Sequence, residues 1–263
     1  MKKSLWILIV VIILLAGSLI TYNYLNKDEK KVETKEKKTT GVTTTVKKEE
    51  KKENMMDKIT LNYHASIRME KEGKVIYFDP FKIGNASSDA DYIFITHSHY
   101  DHYSEADIKK VMKNDTKFIV TSDLENKVTS LGVSKDNITV VYPNEKYDID
   151  GIKFDTIPSY NTNKTYHKKS YNWVGYNAQI DGVKYYVVGD SDITDEMKKV
   201  NCDVIFIPVG GTYTMTDSEA IEVVNEMKPK YAVPIHYGEV GSSNNAEKFI
   251  NGLSEDIKGV ILK

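Results

Sequence analysis

The chain has 263 residues, 36 basic against 38 acidic side chains and a hydrophobic content of 40%, enough to bury one sizeable core. A formal charge of −2 gives no general attraction for nucleic acid phosphates, which weakens a nuclease reading. The single cysteine, Cys202, excludes an intramolecular disulfide; it precedes the apolar run Val204–Ile207 and reads as a packed core residue.

The even composition conceals a division along the chain. Leu5 to Tyr22 is almost wholly apolar and follows Lys2 and Lys3, close to the roughly 20 residues that cross a bilayer. Residues 1–26 therefore read as a transmembrane signal anchor with the amino terminus inside and the remainder outside. A signal peptide cut near Ala16-Gly17-Ser18, which would release the protein, is the competing reading. No cysteine lies nearby, so a lipoprotein anchor is excluded. Residues 27–56 form a Lys/Glu/Thr-rich linker. Its first 28 positions hold ten Lys, six Glu and one Asp, with three valines as the apolar content. Such a segment cannot offset the entropy of ordering and reads as a disordered tether.

The domain at 57–263 begins with a meander: strands at 58–63, 66–69 and 75–78, closed by Asp79-Pro80. The run Tyr92–Ile95 follows as a buried strand and delivers Thr96-His97-Ser98-His99-Tyr100-Asp101-His102 at its carboxyl end. A helix from Ser104, its N-cap, to about Lys113, a strand at 117–121, a helix at 123–131 and a strand at 138–142 continue a βαβαβ rhythm. The second half restarts with a strand at 151–157 and a polar loop, Ser159–Asn172. A hairpin at 174–188 turning on Asp181-Gly182 comes next. Strands at 204–209, 231–235 and 259–262 alternate with helices at 217–227 and 245–253. Two halves of this kind predict two facing sheets with helices outside them, an α/β (α+β) fold.

Three of the six histidines and an aspartate fall within six positions of the cluster. Donors packed this closely would repel or strain one another without a cation, and imidazole with carboxylate suits zinc, with manganese or iron as alternatives. A polar loop whose histidines cap a helix is the bland reading. Asp190 and His236 sit at two further strand ends, where sheet enzymes gather their chemistry. Gly189 and Gly238 beside them allow tight turns.

His97-x-His99-x-Asp101-His102, Gly189-Asp190 and Pro234-x-His236-Tyr237-Gly238 resemble the metallo-β-lactamase superfamily. Tyr63-His64-Ala65-Ser66, Phe78-Asp79-Pro80 and Pro208–Met215 resemble its ascorbate-6-phosphate lactonase-like branch. The resemblance spans 58–263 and implies a four-layer αββα sandwich. It implies one metal position at His97 and His99, another at Asp101, His102 and His236, and Asp190 bridging, with Asp101 and Asp190 as catalytic groups. The family's usual third histidine of the first position is missing: Ser159-Tyr160-Asn161 stands there. His167, Tyr160 or water would have to complete it, so the centre holds one or two ions. Asp79 is expected behind the cluster, and His64 on the pocket floor or in the core. Asn161, Lys164 and Tyr213 are pocket candidates.

These features predict a membrane-tethered, metal-dependent hydrolase acting on a small molecule (a lactone, ester or phosphodiester) through a metal-bound hydroxide. A lipid phosphodiesterase is a variant of that reading. A non-catalytic, metal-holding sensor is the alternative, and the missing histidine is what favours it. The oligomeric state is left open.

Overall fold

The computed structural model describes residues 55–262. The expected anchor at 1–26, and all of the expected linker but its last two residues, lie outside them. Among the described residues no helix is long and apolar enough to cross a membrane. From Lys58 on, the described residues form one compact unit.

The first sheet runs in spatial order β1 (Ile59–Tyr63), β2 (Ser66–Lys71), β3 (Lys74–Phe78), β4 (Ala90–Phe94), β5 (Met112–Thr121) and β6 (Ile138–Val141). Its first three strands are the antiparallel meander, and β3 to β6 are parallel. The second sheet contains β7 (Lys146–Ile149), β8 (Ile152–Pro158), β9 (Val174–Ile180) and β10 (Val183–Val187) as antiparallel neighbours. Parallel strands β11 (Val204–Pro208), β12 (Tyr231–Ile235) and β13 (Lys258–Gly259) extend it from β10.

Phe78 and Phe94 on the first sheet meet Phe154 and Tyr176 on the second, with Phe94 5.2 Å from Phe154 and 5.1 Å from Tyr176. The Tyr176 hydroxyl donates to the Ile95 carbonyl at 2.7 Å, so even the polar atom of this dry layer ties one sheet to the other. On the outer face of the first sheet, Ile93, Ile95, Phe118 and Val120 pack against Ile108 and Val111 of α1 (Glu105–Val111) and Val128 of α2 (Glu125–Ser130). On the other side, Ile205 and Ile207 pack against Ala220, Val223 and Val224 of α3 (Asp217–Met227) and Phe249 of α4 (Asn245–Asn251). The fold is mixed α/β with two sheets.

Local chemistry sets the helix ends. Ser104 caps α1 by accepting from the Asp107 amide, and Thr216 and Glu219 form a reciprocal capping box on α3. Helix α1 stops at Val111, two residues short of expectation, because Met112 turns extended and pairs with Ala90. The segment expected as one helix at 123–131 begins as a 3₁₀ turn, Ser122–Leu124.

Register places the chemistry. Phe78 pairs with Phe94 in parallel strands, so Asp79 and Thr96 emerge side by side. Val187 pairs with Phe206 and Pro208 with Ile235, which brings the residues after β10, β11 and β12 to one edge.

Candidate metal centre

Asp190 stands at the middle of this edge. Gly189 before it takes φ +71°, and a Cβ there would lie 3.1 Å from the Ser159 hydroxyl and 3.2 Å from Thr96, so only glycine lets the turn pass this close. One Asp190 oxygen, Oδ2, lies 3.2 Å from His167 Nε2, 3.0 Å from His236 Nε2 and 3.9 Å from His97 Nε2. The other, Oδ1, lies 3.2 Å from His102 Nε2. His97 Nε2 is also 3.2 Å from His99 Nδ1. Two groups of donors result, His97, His99, His167 and Asp190 on one side and His102, Asp190 and His236 on the other. Asp101 Oδ2 sits 3.6 Å from His236 Nε2 and 3.8 Å from His102 Nε2, and forms a third group with His64 and His236.

Three of the histidines are aimed by the same device. His102 Nδ1–H donates to Asp79 Oδ2 at 2.7 Å, His167 Nδ1–H to Asn161 Oδ1 at 3.0 Å, and His97 Nδ1–H to Thr96 Oγ1 at 3.0 Å. In each case the partner fixes the ring and leaves Nε2 for the site. Asp79 is itself held: the Thr96 amide and hydroxyl donate to its two oxygens at 2.8 and 2.7 Å. His64, Asp79 and His236 adopt left-handed backbone, with φ of 54°, 46° and 56°, a costly conformation for non-glycine residues.

The donors fit a divalent cation. His102 Nε2, His167 Nε2, His236 Nε2 and Asp190 Oδ1 are buried and make no hydrogen bond among the described residues. Buried polar atoms are rarely left so, and here they face one another rather than separate partners. Five imidazoles and two carboxylates are also the donor set that borderline metals prefer.

The charges agree. Burial opposes ionisation of Asp190, but His236 and His102 hold its carboxyl well below the usual range. Burial likewise opposes charge on His102, and Asp190 and Asp79 outweigh it to raise that group well above an ordinary imidazole. His236 is resisted by burial yet lifted by Asp190 and Asp101 to about 9. His97 goes the other way, pushed well below 6.5 by burial and by the His102 ring. Without metal, then, protons on His102 and His236 balance the carboxylates, and a cation entering the site displaces them.

Comparison with known proteins identifies the fold family. A profile described as "Beta-lactamase superfamily domain" matches residues 58–236. The chain belongs to the metallo-β-lactamase superfamily. It resembles the UPF0173 metal-dependent hydrolases of Thermococcus onnurineus, 29% identical over 69% of this chain and 85% of the relative, and of Lysinibacillus sphaericus, 29% identical over 68% and 85%. Among solved structures, Igni18, a novel metallo hydrolase from Ignicoccus hospitalis, shares the fold. The TM-score is 0.64 at 20% identity, over 78% of this chain and 94% of that one. The expectation of an enzyme, a metal-dependent hydrolase, holds.

In this member of the superfamily the loop Ser159–Asn172 folds back so that His167, 1% exposed, reaches Asp190. Asn161 makes this happen: its Oδ1 accepts the His167 amide as well as the ring, its own amide donates to the His167 carbonyl, and its Nδ2 donates to Tyr213 O at 2.9 Å. Two pocket expectations are corrected. Tyr160 points away, its hydroxyl donating to Glu196 at 3.0 Å, and Lys164 is drawn to Asp192 at 2.5 Å. Both are captured by carboxylates about thirty residues later in the chain, a long-range pairing no local pattern announces. His64 does reach the site, 3.4 Å from Asp101 Oδ2 with its ring 3.7 Å from that of His236.

Sequence reasoning missed Trp173. Its ring packs 4.7 Å from His97, 4.8 Å from His99 and 5.7 Å from His167, and Nε1–H donates to Asp123 at 3.0 Å. A tryptophan directly before a strand reads as core, so no pattern in the sequence singled it out.

Proposed function

We propose that the chain is a two-metal hydrolase of small esters, lactones or phosphodiesters, zinc being the ion this donor set best suits, and that residues 1–26 tether it outside the cell. The motifs at Tyr63–Ser66 and Phe78–Pro80 favour a place in the lactonase-like branch. One observation carries the reading: ring nitrogens aimed by Asp79, Asn161 and Thr96 converge, buried, around Asp190, and those of His102 and His167 have no hydrogen-bond partner among the described residues. His97, His99 and His167 would hold one ion, His102 and His236 the other, with Asp190 between them and Asp101 beside the second.

When bound, such ions would lower the pKa of water and polarise the substrate's oxygen. The chain's own groups do the rest. Asp190 and the histidines fix the reacting geometry. Asp101, beside His64 and lining the cavity, is placed to orient the attacking water and take its proton. Trp173 packs against His97 and His99 and walls that side of the site.

Metal analysis of the purified chain, with a screen of chromogenic lactones and phosphodiesters, tests the hydrolase. Two ions per chain and turnover lost in Asp101→Ala are expected; a metal-free protein whose melting temperature ignores chelator would refute it. Protease shaving of intact cells tests the location, and a domain protected until lysis would overturn the external assignment.

A further inference from the structure

The metal-facing atoms open onto a cavity of about 240 Å3, small beside the roughly 300–1,000 Å3 of sites for drug-sized ligands. His99, Asp101, His167, Asp190 and His236 line its polar side. Tyr100, Tyr166, Tyr213 and Val240 line the rest, each from a different loop. Tyr166 and Tyr213 meet edge to face, centroids 4.7 Å apart at 83°. The three tyrosines are 70%, 50% and 37% exposed, an aromatic rim left open to solvent directly above the donors.

No lysine or arginine lines this cavity among the described residues. Three lysines of the loops around it carry charges already matched, Lys82 with Glu239 at 2.9 Å, Lys164 with Asp192 at 2.5 Å and Lys169 with Glu196 at 2.7 Å. A two-metal site can itself clamp a phosphoryl group; sites that prefer phosphate over neutral esters add Arg or Lys forks or a row of free amides. This one presents aromatic rings, which favour contact with a flat apolar group.

The rim is also built to keep its shape. Gly210 and Gly241 touch: a Cβ on Gly241 would lie 2.1 Å from the Gly210 carbonyl, and one on Gly210 would lie 2.4 Å from that of His236. The loops carrying Tyr213 and Val240 are thereby locked to the metal-ligand strand end. Asn161 ties the Tyr213 backbone to the His167 loop.

From this we infer that the substrate is an uncharged carboxylic ester or lactone bearing a ring of about bicyclic size. That ring rests on Tyr100, Tyr166 and Tyr213 while the carbonyl faces Asp190. The inference rests on the hydrolase reading and narrows it against phosphodiesters. In the reaction water adds to the carbonyl carbon, the acyl C–O bond breaks, and one water hydrogen passes to the leaving alkoxide while the hydroxyl stays on the acid.

The test measures kcat/KM of the metal-loaded full chain for dihydrocoumarin, γ-butyrolactone and bis(p-nitrophenyl) phosphate. Dihydrocoumarin is expected to exceed the phosphodiester at least tenfold. Tyr213→Ala and Tyr100→Ala are each expected to lower the dihydrocoumarin to γ-butyrolactone ratio at least fivefold, mainly through KM, and Tyr213→Phe to restore it. Preference for the phosphodiester, or an unchanged ratio in both alanine variants, overturns the inference and leaves the hydrolase standing. No turnover of any of the three by metal-loaded protein removes the hydrolase reading itself. Melting temperatures accompany each variant; should Tyr213→Ala unfold, the solvent-exposed Tyr100→Ala decides.

Discussion

His102 and His167 do the same job on opposite sides of Asp190, and what stands behind them differs. Behind His102 is Asp79, ionisable, wholly buried and saturated by Thr96, on strand ends fixed by the pairing of Phe78 with Phe94. Behind His167 is Asn161, neutral and carried on a loop whose shape depends on that same asparagine. One half of the centre is set by the sheets and the other by a few side-chain hydrogen bonds. The second should be the easier to empty.

The largest effect is expected where the halves meet. Asp190→Ala removes the donor they share, and metal content and turnover should fall together by more than about 100-fold. If one ion stays at full affinity, the two halves are independent. Asp79→Ala comes next. It strands the Thr96 amide and the His102 ring in a buried site, costing about 3 kcal/mol in chemical denaturation and 10–100-fold in metal affinity. Asn161→Ala should cost only about 1 kcal/mol of stability and about tenfold in affinity, confined to one ion, so titration with a chromophoric chelator should split into a strong and a weak step. Equal losses in both variants would erase the asymmetry.

A pH series sharpens the same comparison. His236 is raised from 6.5 to about 9 in the metal-free protein, so its contribution to stability is fully present below 6.5 and fades as pH rises through about 9. Melts in chelator should therefore weaken across that window. Metal affinity should strengthen over it as the proton leaves. The smallest effect is Asp107→Asn. That carboxylate accepts the Lys82 and Ile83 amides and is held below its usual pKa, burial opposing and Lys110 and Ser104 prevailing. The substitution should cost about 1 kcal/mol at neutral pH, and the difference from wild type should vanish on acidification below 3.8.

The contrast also explains what could be read from the sequence. Strands ending in Asp79, Thr96, Asp190 and His236 are apolar runs stopped by polar residues, and their periodicity places the ends before any contact is known. Strand β7 escaped because it is an edge strand, alternately exposed, whose one partner in the sheet is β8. Within Ser159–Asn172, residue types alone could not say which side chains turn inward. Asn161 and His167 settle each other locally, whereas Tyr160 and Lys164 are decided by Glu196 and Asp192. Trp173 was invisible as a site residue because a tryptophan before a strand reads as core.

The left-handed backbone of His64, Asp79 and His236 bears on how this enzyme could be engineered or could decay. At each position glycine would relieve roughly 1–2 kcal/mol of conformational cost. At Asp79 and His236 that relief is outweighed by the hydrogen bonds and charge pairs lost with the side chain. A library ranked by heat resistance alone would therefore drift toward glycine at His64, gaining robustness while dismantling one side of the centre. Thermal screening of this protein needs an activity filter at every round.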